Sequence, residues 1–286
     1  MVKERWDVII EVPKYNADEF LESLYSVILQ EYEPKRVIVT GHSLSQSDLS
    51  SIRSLAQRVT NLINVDVKNY NEGNTPEVLN DVVSQLDGHF ISVLSVGNIM
   101  YVDFSAMVRM LSKEPKKSMV FGNPVQVNIE EVGGIRHVVS KRSEEWPVAG
   151  VLSILVNSEV ISQDCFVFTK DAWKAYRFDG NLSNLYFHDF FYEISSKGYD
   201  SVVFAERNVV DICNQSVIST SAEEKNIVRE RNNSRFFYIA GRELGVLEKR
   251  YDDLQNTFSS KRFQLYNRIV NSRIAQHFMH LFSGSS

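Results

Sequence analysis

The stretch Leu86-Asp87-Gly88-His89-Phe90-Ile91-Ser92-Val93-Leu94-Ser95-Val96-Gly97-Asn98 decides the fold of this chain. An Asp-Gly turn comes before a short apolar run typical of a buried strand, and the run ends in polar and glycine residues. Segments with a strand-then-helix pattern precede it, and such alternation predicts a mostly parallel sheet with helices on both faces. Sheets of this type bind ligands at the carboxyl ends of their strands, so residues 95–98 are expected to line the functional cleft.

Three strand-and-helix units come before this stretch. Residues 7–12, 36–40 and 63–67 are rich in β-branched residues and predict strands. The first helix is predicted to begin at Asn16, a favoured N-cap residue, and the third at Thr75. The apolar residues of each predicted helix recur at helical spacing, which indicates one face packed on the sheet.

The pattern changes after Pro115, where strands dominate. Residues 118–121, 135–140, 151–156, 165–169 and 201–205 predict further strands. Residues 141–145 are charged and predict a loop, whereas residues 185–196 predict a helix with a phenylalanine-rich face.

Composition narrows the class of protein. The chain has 286 residues, of which 43% are hydrophobic and 23% charged, as in an ordinary globular protein. The net charge of -5 gives no reason to expect nucleic-acid binding, and two cysteines do not make a disulfide framework. The N-terminal apolar run is too short for a signal peptide and no run is long enough to span a membrane, so a cytoplasmic location is expected.

Several short segments follow one another in a characteristic order: Val8-Ile9-Ile10, Pro13-Lys14-Tyr15-Asn16, Leu24-Tyr25-Ser26-Val27-Ile28-Leu29-Gln30, Arg36 to Ser43, Asn71-Glu72-Gly73, Phe178-Asp179-Gly180-Asn181-Leu182 and His188-Asp189. Their order and spacing over residues 6–215 resemble those of family 2 glycosyltransferases. The resemblance implies an α/β GT-A fold over residues 1–220, with the nucleotide-binding half first and the acceptor half second. Residues 221–286 would form a helical extension.

The resemblance also implies site residues. Pro13, Tyr15 and Asn16, with Thr40, His42 and Ser43, would form the nucleoside site. Ser95, Gly97 and Asn98 would face the donor diphosphate. Asp189 matches the general base that takes the proton of the acceptor hydroxyl, and His188 lies beside it as a substrate-binding residue. A structural role for Asp189 at a helix start, and for His188 as a partly exposed histidine, are the alternatives.

The metal-binding motif departs from the family. An Asp-x-Asp motif holds a divalent ion there, whereas this chain has Ser95-Val96-Gly97. Mg²⁺ and Mn²⁺ need carboxylate ligands, so no metal and no other cofactor is expected. Basic side chains or backbone N–H groups would then neutralise the leaving diphosphate. Candidates are Lys14, Lys68, Arg136, Lys141 and Arg142, although a solvated surface charge explains each more simply.

The C-terminal extension carries two further patterns. Residues 237–258 have apolar residues at alternating three-four spacing, which predicts a coiled coil and a homo-oligomer; a long helix packed on the main domain is an equal alternative. Residues 261–282 carry four basic residues, no acidic residue and an apolar face. This composition is typical of an interfacial helix and predicts a peripheral contact with the inner membrane face. Packing against the coiled segment of a partner chain explains it equally well.

Together these observations favour an inverting glycosyltransferase of polysaccharide biosynthesis. Its partners would be a nucleotide-sugar donor and a surface glycan or lipid-linked acceptor. Loss of the acidic nucleotide and metal positions supports an alternative, a catalytically silent homologue that acts as a binding or assembly subunit. Retention of Asp189 supports the enzyme.

Overall fold

The computed structural model describes residues 5–59, 63–132, 135–143, 162–197 and 202–213, with residues 224, 226–228, 230–231, 249, 251–253 and 255–256. The chain divides into two compact units, Met1–Phe237 and Tyr238–Ser286. In the second unit, the described residues are helical. Most of the predicted coiled coil, the basic segment 261–282 and the predicted strand 151–156 lie outside the described residues.

The N-terminal half is a parallel sheet. Its strands are β1 (Trp6–Val12), β2 (Arg36–His42), β3 (Asn64–Tyr70) and β4 (Phe90–Ser95), in the order β3-β2-β1-β4. All three pairings are parallel. Every residue of β1 is buried, as its β-branched sequence and central position in the sheet require.

Three helices connect these strands: α1 (Ala17–Ile28), α2 (Gln46–Val59) and α3 (Thr75–Ser84). Asn16 is the N-cap of α1, as predicted, and its side chain accepts hydrogen bonds from the amides of Asp18 and Glu19. The prediction that Thr75 caps α3 is wrong. Asn74 is the N-cap because Glu77, three residues later, completes a capping box with it.

The C-terminal half completes one mixed sheet of nine strands among the described residues. Its strands are β5 (Ile99–Met100), β6 (Met119–Val132), β7 (Ile135–Ser143), β8 (Phe166–Thr169) and β9 (Val202–Cys213). The order continues from β4 as β8-β6-β9-β5, and β7 pairs with β6. The helices are α4 (Ser105–Lys113), α5 (Lys170–Ala175) and α6 (Tyr186–Lys197).

Two sequence predictions fail in this half. The loop predicted at residues 141–145 is wrong for its first three residues, because Lys141 and Arg142 pair with Val127 and Gln126 of β6. Hydrogen bonding to a long neighbouring strand overrides their charged composition, which is common in edge strands. The strand predicted at residues 118–121 also extends to Val132 for the same reason.

A cluster of aromatic side chains packs α6 against the sheet. Ring centroids of Phe166 and Phe187 are 5.0 Å apart, and those of Phe178 and Phe190 are 4.9 Å apart. Phe168 of β8 makes an edge-on contact with Phe190 at 5.4 Å. Such pairs contribute about 0.5–1.5 kcal/mol each beyond apolar burial. The first turn of α6 is therefore held beside β8, the strand next to β4.

The described residues contain no helix that is both long and apolar enough to span a membrane.

Candidate functional site

The ends of three neighbouring strands form the edge of the sheet predicted to bind ligand. Strands β2, β1 and β4 are adjacent and parallel, so their carboxyl ends meet at one edge. Glu11 lies in register with Thr40 on one side and with Ser95 on the other. His42 is the last residue of β2 and Ser95 the last of β4.

Glu11 is a buried carboxylate at this edge. Its Oε2 accepts a hydrogen bond from Nε2 of Gln163 at 2.9 Å, and the Thr75 side chain also bonds to it. Burial raises the pKa of Glu11, whereas the bonds from Gln163 and Thr75 and the nearby His42 act in the opposite direction. Nε2 of Gln163 also lies 3.3 Å from Oγ of Ser95, which joins the ends of β1 and β4.

Asp164 is a second buried carboxylate, in a single turn of 3₁₀ helix at Gln163–Cys165. It accepts hydrogen bonds from the backbone amide of Ser95 and, at 3.3 Å, from the Ser95 hydroxyl. Ser162 and Asn98 also bond to it. Burial raises the pKa of Asp164, although these hydrogen bonds act against the rise.

Tyr186 links helix α6 to this edge. Its hydroxyl donates to Oε1 of Gln163, the residue that also contacts Glu11 and Ser95. Burial raises the pKa of Tyr186 well above its usual value, and the nearby charges of Glu11 and Asp164 add to this effect. The first turn of α6 is thus hydrogen-bonded, through one glutamine, to the strand ends.

The three site residues predicted at the end of β2 differ in how exposed they are. The His42 side chain is about one-fifth exposed, and its Nε2 lies 4.0 Å from Oε1 of Glu11 with no hydrogen-bond partner among the described residues. Ser43 is exposed, with φ of 52°, and its amide donates to the Tyr70 carbonyl. Thr40 is fully buried, and its hydroxyl donates to the Ile10 carbonyl at 3.4 Å. His42 and Ser43 are therefore at least partly exposed at the end of β2, whereas Thr40 is buried within the sheet.

The predicted residues that follow β1 form the turn into α1. Pro13 and Asn16 are exposed, and Tyr15 is half-buried with its ring 6.4 Å from that of Phe20. Oδ1 of Asn16 accepts from the amides of Asp18 at 3.0 Å and Glu19 at 3.3 Å. The Asn16 side chain therefore has a structural role as a helix cap.

The predicted residues that follow β4 form a tight turn. Gly97 has a φ of +90°, which favours glycine, and its amide donates to the Ser23 hydroxyl at 2.8 Å. Asn98 is buried, and its Oδ1 accepts from the Cys213 amide at 3.0 Å. Together with its bond to Asp164, this contact joins β9 to the candidate site.

Asp189 and His188 lie in the first turn of α6, and each is only 8% exposed. Oδ2 of Asp189 is 3.8 Å from Nη1 of Arg231. Burial lowers the pKa of His188 to about 4, so the ring is neutral at pH 7, and Nδ1 has no hydrogen-bond partner among the described residues. The two side chains are on the helix whose Tyr186 contacts the strand edge.

The carboxylates at this edge are engaged by hydrogen-bond donors of the protein itself. The oxygens of Asp164 accept hydrogen bonds from Ser95, Ser162 and Asn98, and those of Glu11 from Gln163 and Thr75. No cluster of three or more acidic, histidine or cysteine side chains suited to a metal occurs in the described part of the chain.

Three of the five predicted cationic side chains have polar partners among the described residues. Arg136 contacts Glu22 at 2.5 Å and Glu19 at 4.0 Å, and Lys141 contacts Asp211 at 2.9 Å. Lys68 donates to Gln85.

Sequence reasoning missed five residues of this region: Glu11, Gln163, Asp164, Tyr186 and Arg231. Glu11 had a signal, because it is an acidic residue near the end of a strand whose only other acidic residue is Asp7. The others had none, because their positions depend on contacts between distant parts of the chain.

The sheet order and the helices that cover it define the GT-A fold of glycosyltransferases, a mixed α/β sheet with helices on both sides. No protein-family profile matches the sequence, and no curated protein matches it.

Three solved structures illustrate the similarity of this chain's fold to those of glycosyltransferases. S. aureus TarS 1-349 in complex with UDP-GlcNAc has a TM-score of 0.58 at 14% identity, over 81% of this chain and 66% of that chain. The mannosyltransferase PcManGT from Pyrobaculum calidifontis, in complex with GDP-Man and Mn²⁺, has a TM-score of 0.57 at 12% identity, over 99% and 88%. GalNAc-T7 with UDP, GalNAc and Mn²⁺ has a TM-score of 0.58 at 12% identity, over 79% and 48%. At such identities the likeness establishes the fold, and this chain spans slightly less than two thirds of TarS 1-349.

Proposed function

We propose that this chain is an inverting glycosyltransferase that moves a sugar from a nucleotide-sugar donor to a surface glycan or lipid-linked acceptor without a divalent metal. The observation that carries the proposal is the hydrogen bond of Tyr186 to Gln163, because Gln163 also contacts Glu11 and Ser95. This bond brings the helix of Asp189 to the strand ends where sheets of this type bind ligands. The nucleotide sugars bound by the TarS and PcManGT structures support the donor class.

In the proposed reaction, the acceptor hydroxyl attacks the anomeric carbon of the donor sugar. The bond from that carbon to the diphosphate oxygen breaks, and the nucleoside diphosphate leaves with the bonding electrons. Asp189, which is buried and paired with Arg231, takes the hydroxyl proton. His188 is neutral and lies next to Asp189, so it adds no positive charge there.

His42 is the proposed contact of the nucleoside. Its position at the end of β2 leaves the ring partly exposed, while its Nε2 is buried and faces Oε1 of Glu11 at 4.0 Å. Ser43 follows it at the surface. The exposed part of the His42 ring would contact the donor base.

The test measures release of the nucleoside diphosphate from a panel of UDP and GDP sugars. Asp189→Asn should leave donor affinity unchanged and reduce turnover by about 10²–10⁴-fold, the usual loss on removing a general base. Asp171→Asn is the matched control, because Asp171 is an exposed aspartate on α5. Wild-type turnover in Asp189→Asn would remove Asp189 from the mechanism.

A catalytically silent binding or assembly subunit is the second candidate. The observation that favours it is that the Glu11 and Asp164 oxygens already accept hydrogen bonds from the protein. Calorimetry measures nucleotide binding, and the release assay measures turnover. Nucleotide binding with no turnover on any donor supports the silent subunit over the enzyme.

A further inference from the structure

Arg231 lies between two carboxylates at the start of α6. Its Nη1 donates to Oδ2 of Asp179 and lies 3.8 Å from Oδ2 of Asp189. The Asp179 and Asp189 side chains are mostly buried, whereas that of Arg231 is 41% exposed. One guanidinium therefore compensates the charge of two acidic groups, one of them the proposed general base.

Glu224 makes a second contact with the same region. Oε1 of Glu224 accepts hydrogen bonds from the amides of Ser183 and, at 3.2 Å, Asn184, just before α6 begins. Glu224 is only 8% exposed, and Val228 is buried as well. The described residues between 224 and 231 are helical. Glu224 and Arg231 both contact the segment that leads into the first turn of α6.

We propose that Glu224 and Arg231 act together as a strap that positions the proposed general base, with Arg231 as the positioning residue for Asp189. This inference rests on the proposed function. Glu224 fixes the backbone before α6, and Arg231 orients the Asp189 carboxylate toward the acceptor side. Neither residue contacts the reacting atoms in this proposal.

The charged groups around Asp189 indicate what the loss of Arg231 would do. Arg231 is the cation that faces it, Asp179 shares that cation, and Glu224 is bound to the amides of Ser183 and Asn184. The neighbouring His188 is neutral. If Arg231 is removed, the Asp189 carboxylate loses the ion pair at 3.8 Å that holds it in place, and Asp179 loses a hydrogen bond. The orientation of Asp189 toward the acceptor should then vary, which lowers kcat.

The experiment compares Arg231→Gln with Arg231→Lys and with Arg207→Gln. Arg207 is the matched control, because it forms an exposed pair with Asp103 at 2.8 Å. Arg231→Gln should reduce kcat by about tenfold or more, as expected for a misplaced catalytic group, with an unchanged KM for the donor. Arg231→Lys should restore most of the lost kcat, and Arg207→Gln should resemble the wild type.

Hydrogen exchange tests the strap without any need for activity. Glu224→Gln and Arg231→Gln should each speed the exchange of the Ser183 and Asn184 amides relative to Arg207→Gln. If the variants exchange these amides faster but the wild-type protein has no measurable turnover, the proposed function is rejected and the structural role of Glu224 and Arg231 is supported. An Arg231→Gln variant with wild-type exchange and wild-type kcat would overturn the strap, whatever the activity of Asp189→Asn.

Discussion

Ser95 donates both its backbone amide and its hydroxyl to the carboxylate of Asp164, 69 residues further along the chain. Ser95 stands where the resemblance implies a metal-binding carboxylate. A carboxylate from another segment of the chain thus lies at this strand end. The oxygens of Asp164, however, accept hydrogen bonds from the protein. Asp164 consequently has a structural role at the edge of the candidate site.

Substitution of Asp164 should reduce stability. In Asp164→Ala, the amide of Ser95 loses its partner in a buried environment, which should lower the free energy of unfolding by about 1–3 kcal/mol. Asp164→Asn should have a smaller effect, because its amide oxygen can still accept from Ser95. Urea unfolding measures both, with the exposed Asp171→Ala as the control. Equal stability of Asp164→Ala and the wild type would show that Asp164 does not hold this edge together.

The buried Glu11 carboxyl predicts a pH effect on stability. Burial raises its pKa in the folded protein above the ordinary value of 4.5, so the folded chain keeps this proton to higher pH than the unfolded chain. Stability should therefore fall as the pH rises from about that value through the folded pKa. Glu11→Gln removes this group, so its stability relative to the wild type should increase with pH over the same window. Thermal unfolding from pH 4 upward measures it, and a difference that is constant with pH would contradict the assignment.

Nucleotide binding should not depend on a divalent metal, because the carboxylate oxygens at the strand ends accept hydrogen bonds from the protein. Calorimetry with UDP and GDP should give the same affinity in EDTA and in Mn²⁺. An affinity that Mn²⁺ raises and EDTA abolishes would contradict this prediction.

Self-association through residues 237–258 remains a prediction from their apolar spacing. Tyr251 belongs to that stripe and is 62% exposed in the single chain. Light scattering should detect a dimer or a larger species at micromolar concentration, and Leu247→Glu should dissociate it. A monomeric wild type would favour the alternative of a helix packed within the chain.

Binding of residues 261–282 to an anionic membrane surface also remains a prediction. Each basic residue near such a surface contributes about 1 kcal/mol, and this effect is screened by salt. Full-length protein should sediment with anionic vesicles at low salt, whereas a chain truncated after Ser260 should not. Recovery of both proteins in the supernatant would contradict membrane binding and favour the alternative, in which residues 261–282 pack against a partner chain.

Local sequence was sufficient for much of the N-terminal half. The continuous apolar runs that became β1, β2 and β4 are visible along the chain, and so are the apolar stripes of α1 and α2, which recur about every three to four residues. The cap of α3 was displaced by one residue, because Asn74 and Thr75 are both favourable caps and a contact three residues away decides between them.

Tertiary structure decided the rest of the fold and the connections of the candidate site. Lys141 and Arg142 are in a strand only because β6 pairs with them. Glu11 and Gln163 are 152 residues apart, and Ser95 and Asp164 are 69 apart, yet each pair is hydrogen-bonded at the same sheet edge. No local pattern encodes such a pair, because its formation depends on which strands become neighbours and in which register. The residue types at the strand ends were readable in the sequence, whereas their partners existed only once the sheet had formed.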